Sequence, residues 1–84
     1  MTKRDRAVIV TWVDSMGAGG WHDREETRRA APSTCRTVGW LVKDEPDAMT
    51  LALSKCDTES AAPWASLISI PRCSIKRVRR VEVE

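Results

Sequence analysis

The sequence predicts a mainly β fold of about five short antiparallel strands, and three observations carry that prediction. The β-branched and aromatic residues gather in short runs bounded by Gly, Pro, Asp and Ser. Within those runs apolar side chains recur with period two, as in Val8, Val10 and Trp12 against Ile9, Thr11 and Val13. The one stretch with helix signals, Asp23 to Ala31, has almost no apolar face, so the core must be built from strands.

Each element follows from local chemistry. Ala7 to Asp14 is rich in Val, Ile, Thr and Trp and is predicted as the first strand. Ser15 to Gly20 holds Gly17, Gly19 and Gly20, which no regular element tolerates well, and reads as a flexible loop. Asp23 and Glu26 have capping-box spacing, so a short surface helix is expected from Arg24 to Ala31, stopped by Pro32. Thr37 to Lys43 and Ala48 to Lys55 are β-type runs separated by Asp44, Glu45, Pro46 and Asp47, and are expected to form a hairpin. Its inward set is predicted as Val38, Trp40 and Val42 facing Met49, Leu51 and Leu53, with Gly39 easing a bend. Cys56 to Ala65 reads as a second loop carrying Pro63 and Trp64. Leu67 to Ile70 is a short strand, Pro71 to Ser74 a tight or 3₁₀ turn, and Ile75 to about Val83 the last strand.

A 3₁₀ turn before the final strand of a five-strand meander is the pattern of a small SH3-like barrel, with Sm-like and OB-type barrels as alternatives. Antiparallel connectivity then places the two long loops at one barrel end. With 84 residues the chain reads as a single domain, 1–84, whose first six residues are a charged, flexible start. A domain this small buries only about 60% of the surface its unfolded chain exposes, so self-association is expected to supplement its core.

Composition narrows the setting. Cys35, Cys56 and Cys73 cannot all pair within one chain and no signal segment opens it, which points to a reducing cytosol. No apolar run approaches the ~20 residues that cross a bilayer. A net charge of +2 is too balanced to imply nucleic acid by bulk charge. With no Phe or Tyr, the aromatic load falls on Trp12, Trp21, Trp40 and Trp64. Trp12 and Trp40 are assigned to the core, whereas Trp21 and Trp64 lie in the predicted loops.

No catalytic apparatus is recognisable. His22 beside Asp23, with Ser15 near, has the residue types of a hydrolase, but Ser15 is not in a strand-to-helix elbow, and loop contacts explain the group better. Cys35, Cys56, Cys73 and His22 could in principle ligate zinc, yet no close C-x-x-C pair nucleates a site, so no metal and no cofactor are expected. Lys76, Arg77, Arg79 and Arg80 form a basic last strand, which suits nucleic-acid binding or protection of a sheet edge.

The segments Val10 to Ser15 (VTWVDS), Gly20 to His22 (GWH), Thr37 to Val42 (TVGWLV) and Ile70 to Arg72 (IPR) resemble small uncharacterised bacteriophage proteins over nearly the whole chain. The resemblance implies a non-enzymatic phage accessory protein in the host bacterial cytoplasm. Small phage proteins of this size include oligomeric anti-defence sponges that sequester nucleotide immune signals. No site residue carries over from that group by motif.

The candidate site therefore comes from expected geometry: Asp14, Ser15, Trp21, His22, Arg36, Ser54, Lys55 and Trp64 at the shared loop end. Trp21 or Trp64 would stack a base, Arg36 or Lys55 would meet a phosphate, and Asp14 a ribose hydroxyl or base edge. The competing reading is that both tryptophans seal the loops onto the core or onto a second subunit. A homo-oligomer binding a small nucleotide-type ligand is the leading expectation, ahead of a module that binds nucleic acid or a host protein.

Overall fold

A computed structural model describes residues 5–57 and 62–82, so the expected flexible start and the expected strand end at Val83 lie partly outside the described residues. Five antiparallel strands form one sheet in the order β4-β3-β2-β1-β5: β1 (Arg6–Asp14), β2 (Ser33–Asp44), β3 (Ala48–Lys55), β4 (Trp64–Pro71) and β5 (Ile75–Val81). A helix, α1 (Arg24–Arg29), lies between β1 and β2, and a 3₁₀ turn (Arg72–Ser74) joins β4 to β5. Strands β1 to β4 follow the expected meander, and β5 crosses over to pair with β1. The closed barrel is not formed, because β4 and β5 are the two edges of the sheet and do not pair with each other.

Register decides which side chains are inside. Val8, Val10 and Trp12 stand opposite Gly39, Thr37 and Cys35, so the odd-numbered residues of β2 share the buried face of β1. Val8, Val10, Met49, Leu51 and Ile70 form the core, with Trp12, Leu41, Ile68 and Ile75 packed on it. Residues from β1 and β4 belong to one buried cluster although two strands lie between them and α1 buries nothing, so the sheet coils over its own apolar face. At Gly39 the approach of β3 is closest. A Cβ there would lie 2.7 Å from the Ala52 carbonyl oxygen, so β3 approaches β2 more closely than any side chain allows. A bulge between Leu41 and Lys43 completes the turn of the strand.

The inward set of the β2–β3 hairpin is therefore corrected. Met49 and Leu51 are buried as expected, but Val38 and Trp40 point to the opposite face and Leu53 is 70% exposed. The residue facing the core between them is Gly39, which period-two counting of bulky residues passes over. Trp40 accordingly leaves the predicted core. Trp12 stays on it, its indole N–H donating to Thr37 Oγ1 at 2.9 Å.

The ends of the sheet are tied locally. The Arg72 N–H donates to the Asp47 carbonyl at 2.8 Å, and the Arg72 guanidinium holds both the Asp44 carboxylate and the Glu45 carbonyl, clamping the β2–β3 turn to the 3₁₀ turn. At the opposite side β1 and β2 run on alone. β5 leaves β1 at Trp12, and β3 pairs with β2 only from Trp40 onward, so Ser33–Gly39 have β1 as their sole ladder neighbour. The loop and α1 extend this arm. The radius of gyration is 16.9 Å and the longest dimension 59 Å, against about 12 Å for the radius of a compact chain of this length.

Candidate functional site

The helix of the arm is set by capping. Asp23 accepts the Glu26 N–H at 2.8 Å as N-cap, acidic residues fill the first turn and Arg28 and Arg29 the last, and the helix ends two residues earlier than expected, at Arg29. No residue of α1 is buried. His22 links loop to helix: Nδ1 lies 2.8 Å from Glu26 Oε2, and Nε2 lies 3.0 Å from the Gly19 carbonyl and 3.3 Å from that of Ala18. All these partners are acceptors, and a neutral imidazole has only one N–H to give. Glu26 first and then the Ala18 carbonyl raise the His22 pKa above 6.5; desolvation opposes them, and the Gly19 carbonyl adds a lesser upward push. Asp23 is occupied as cap, and Asp14 Oδ1 accepts the Ser15 N–H at 2.9 Å, so these groups act as loop fasteners. A hollow of about 530 Å³ lies inside the arm, lined by Met16, Ala18, His22, Glu26, Thr27, Arg29 and Ala30. Trp21 is fully exposed and does not line it.

The other half of the predicted site lies elsewhere. Lys55 Nζ contacts Asp5 at 2.8 Å and Asp57 at 3.4 Å, and sits 5.4 Å from the centroid of the Trp40 ring. Asp5 is the main reason its ammonium titrates above the ordinary range; desolvation opposes this and Asp57 adds to it. Trp64 is the first residue of β4 and not part of the loop, because the ladder reaches Lys55↔Trp64. With Asp5, Arg6, Leu41, Val42, Lys43 and Asp44 it lines a cleft of about 330 Å³ beside the start of β1. Asp14 is at the far end of that strand, seven residues beyond Ala7 or about 23 Å away. The eight residues thus divide. Asp14, Ser15, Trp21 and His22 belong to the arm, Ser54, Lys55 and Trp64 to the β3–β4 hairpin, and Arg36 to a third place.

Arg36 is on the face of the sheet away from the core. It stands opposite Thr11, which stands opposite Arg77 on β5; in the next row Val38, Ile9 and Arg79 are aligned in the same way. Cross-strand partners share a face, so Arg36, Arg77 and Arg79 project together, with Ile9 and Val38 among them and Ala7, Trp40 and Val81 in the following row. No position on this face of β5, β1 and β2 carries a carboxylate, and none of the three arginines has an ion pair among the described residues. Arg80 pairs with Val8 and so turns to the other face. The basic last strand was visible in the sequence, but its union with Arg36 depends on register.

Among the described residues no group of three or more His, Cys, Asp or Glu side chains is placed to hold a metal ion, and Cys35, Cys56 and Cys73 form no disulfide. Among the same residues no helix is long and apolar enough to cross a membrane. No protein-family model, no curated protein and no solved structure matches the chain.

Proposed function

We propose that this chain is a non-enzymatic binding module that holds single-stranded nucleic acid on the outer face of β5, β1 and β2. The observation that carries the reading is the carboxylate-free cluster of Arg36, Arg77 and Arg79. Like charges on the two strands that flank β1 repel, with guanidinium-bearing positions about 10 Å apart across the sheet and about 7 Å apart along β5, and a polyanion relieves that repulsion. Ile9 and Val38 between them, with Val38 57% exposed, supply apolar contact for unstacked bases, which a double helix does not present. This ranks nucleic acid above the small ligand, because the residues expected to hold that ligand are divided among the arm, the β3–β4 hairpin and the outer face of the sheet. The strand order and the 3₁₀ turn support an SH3-like ancestry in which the sheet has remained open. The phage resemblance favours a host bacterial cytoplasm as the setting of this module.

Fluorescence anisotropy with a labelled single-stranded oligonucleotide over a salt series tests the reading. Three phosphate contacts give a slope of log K against log salt of about −2, and Arg36→Gln flattens it by about 0.7. Absence of binding at low salt, or affinity unchanged in Arg36→Gln/Arg77→Gln/Arg79→Gln, refutes it.

A second reading keeps the nucleotide-type ligand and moves it to the Trp64 cleft, whose volume falls in the range of small-molecule sites. There Trp64 supplies a stacking wall, Arg6 a phosphate contact and Asp5 or Asp44 a hydroxyl acceptor. Thermal stabilisation by mononucleotides or cyclic dinucleotides that is lost in Trp64→Ala and kept in the triple arginine variant favours it.

A further inference from the structure

The two edges of the open sheet are unlike. β5 carries Lys76, Arg77, Arg79 and Arg80, the charged pattern that keeps edges from pairing. β4 reads WASLISIP and has no charge in its entire length; its Leu67 is 61% exposed. Among the described residues its backbone pairs with β3 alone. From these features we infer that β4 is a dimerisation edge, pairing antiparallel with β4 of a second copy about a two-fold axis through Ile68.

The register follows from the ladder. The Glu45 N–H donates to the Ala48 carbonyl and the Arg72 N–H to that of Asp47, so even-numbered residues at the start of β3 bond toward β2 and odd-numbered ones toward β4. With Met49↔Ile70 and Leu51↔Ile68 as the bonded pairs, Ile68 and Ile70 spend their backbone groups on β3, and Leu67 and Ser69 direct theirs outward. Ser66, with φ of 58°, breaks the regular strand before Leu67, and Pro71, without an N–H, ends it. The usable edge is thus Leu67–Ile70. An axis at Ile68 sets Leu67 opposite Ser69 of the second copy and lets four N–H···O=C bonds form. It also places the two Ile68 side chains against each other on the core face, where the chain leaves Ile68 only partly covered. An axis at Ser69 would oppose Leu67 to Pro71, and one at Leu67 would draw Ser66 into the ladder.

The second copy is the occupant because the pairing retires both uncharged edges at once and leaves a cationic β5 at each end, which closes the assembly at two. The exposed area agrees. The chain exposes 7187 Å² where a compact monomer of its mass exposes about 5,000 Å². The surplus over a compact monomer, roughly 2,000 Å², exceeds the ~800 Å² per partner that a stable interface buries.

Light scattering coupled to gel filtration reads the result directly. The expected mass is twice 9.4 kDa at tens of micromolar chain. In Leu67→Lys/Ser69→Lys like charges oppose each other across the axis and the mass halves. In Leu67→Lys/Ser69→Glu the opposed charges are complementary and the dimer returns. Both variants replace the Ser69 hydroxyl that bonds Thr50, so circular dichroism on each separates folding from assembly. Hydrogen exchange on the unaltered protein gives an independent readout, with the Leu67 and Ser69 amides protected at high concentration and unprotected on dilution. A monomeric unaltered protein, a mass that grows without limit, unprotected amides at both positions, or a folded Leu67→Lys/Ser69→Lys dimer overturns the inference.

Discussion

Gly39→Ala tests the central claim about the fold, that the sheet coils because β3 rides close over one glycine. The added methyl would sit 2.7 Å from the Ala52 carbonyl oxygen and 3.3 Å from Leu51 Cβ. The first contact is with backbone, so no side-chain rotation relieves it; β3 must move off β2 by roughly half an ångström or more, where Trp40↔Ala52 and Leu41↔Leu51 join them. Overpacking of this kind costs about 1–3 kcal/mol. Replacing glycine also removes backbone freedom from the unfolded chain, which returns about 0.4–1 kcal/mol. The net expectation is a loss of about 1–2 kcal/mol, or a fall in Tm of roughly 4–16 °C for a domain of this size. Gly17→Ala and Gly19→Ala serve as controls, since nothing lies within 4 Å of either Cβ position, and they should leave Tm unchanged or slightly raised. Thermal and urea unfolding followed by circular dichroism measure all three. A Gly39→Ala protein as stable as the parent would mean that the close approach does not govern the bend.

The other expectations follow from burial and charge. Leu51→Ala removes a fully buried side chain at the centre of the core and should cost about 2–5 kcal/mol, whereas Leu53→Ala, two residues along the same strand and exposed, should cost under about 0.5 kcal/mol; equal losses in chemical denaturation would contradict the register. His22 titrates above 6.5 in the folded arm, so its contribution to holding loop and helix together is complete below pH 6.5 and declines as pH rises through the higher folded value. An NMR titration should show the elevated midpoint, and Glu26→Gln should lower it, since Glu26 is the largest cause; a midpoint at or below 6.5 in the parent would remove the staple.

Much of the architecture is legible along the chain because it is decided by neighbours in sequence. Period-two alternation marks Val8, Val10 and Trp12 as one face of β1, Asp23 and Glu26 mark the start of α1, and Pro71 marks the turn before β5. Each of these depends on dihedral preferences and hydrogen bonds spanning a few residues. The tertiary structure decided the rest, and for the same reason each time: the interaction lies between residues remote in sequence. Gly39 rather than Trp40 faces the core because β1 and Ala52 select the register of β2 from either side. Trp21 and Trp64 do not share a pocket because β3 leaves β2 after Trp40, carrying its hairpin toward the start of β1 while the arm continues past Asp14. The three outward arginines come from β2 and β5, more than thirty positions apart, and only the ladder through β1 aligns them. That the sheet stays open, with one charged and one uncharged edge, is a property of closure, which no local pattern encodes.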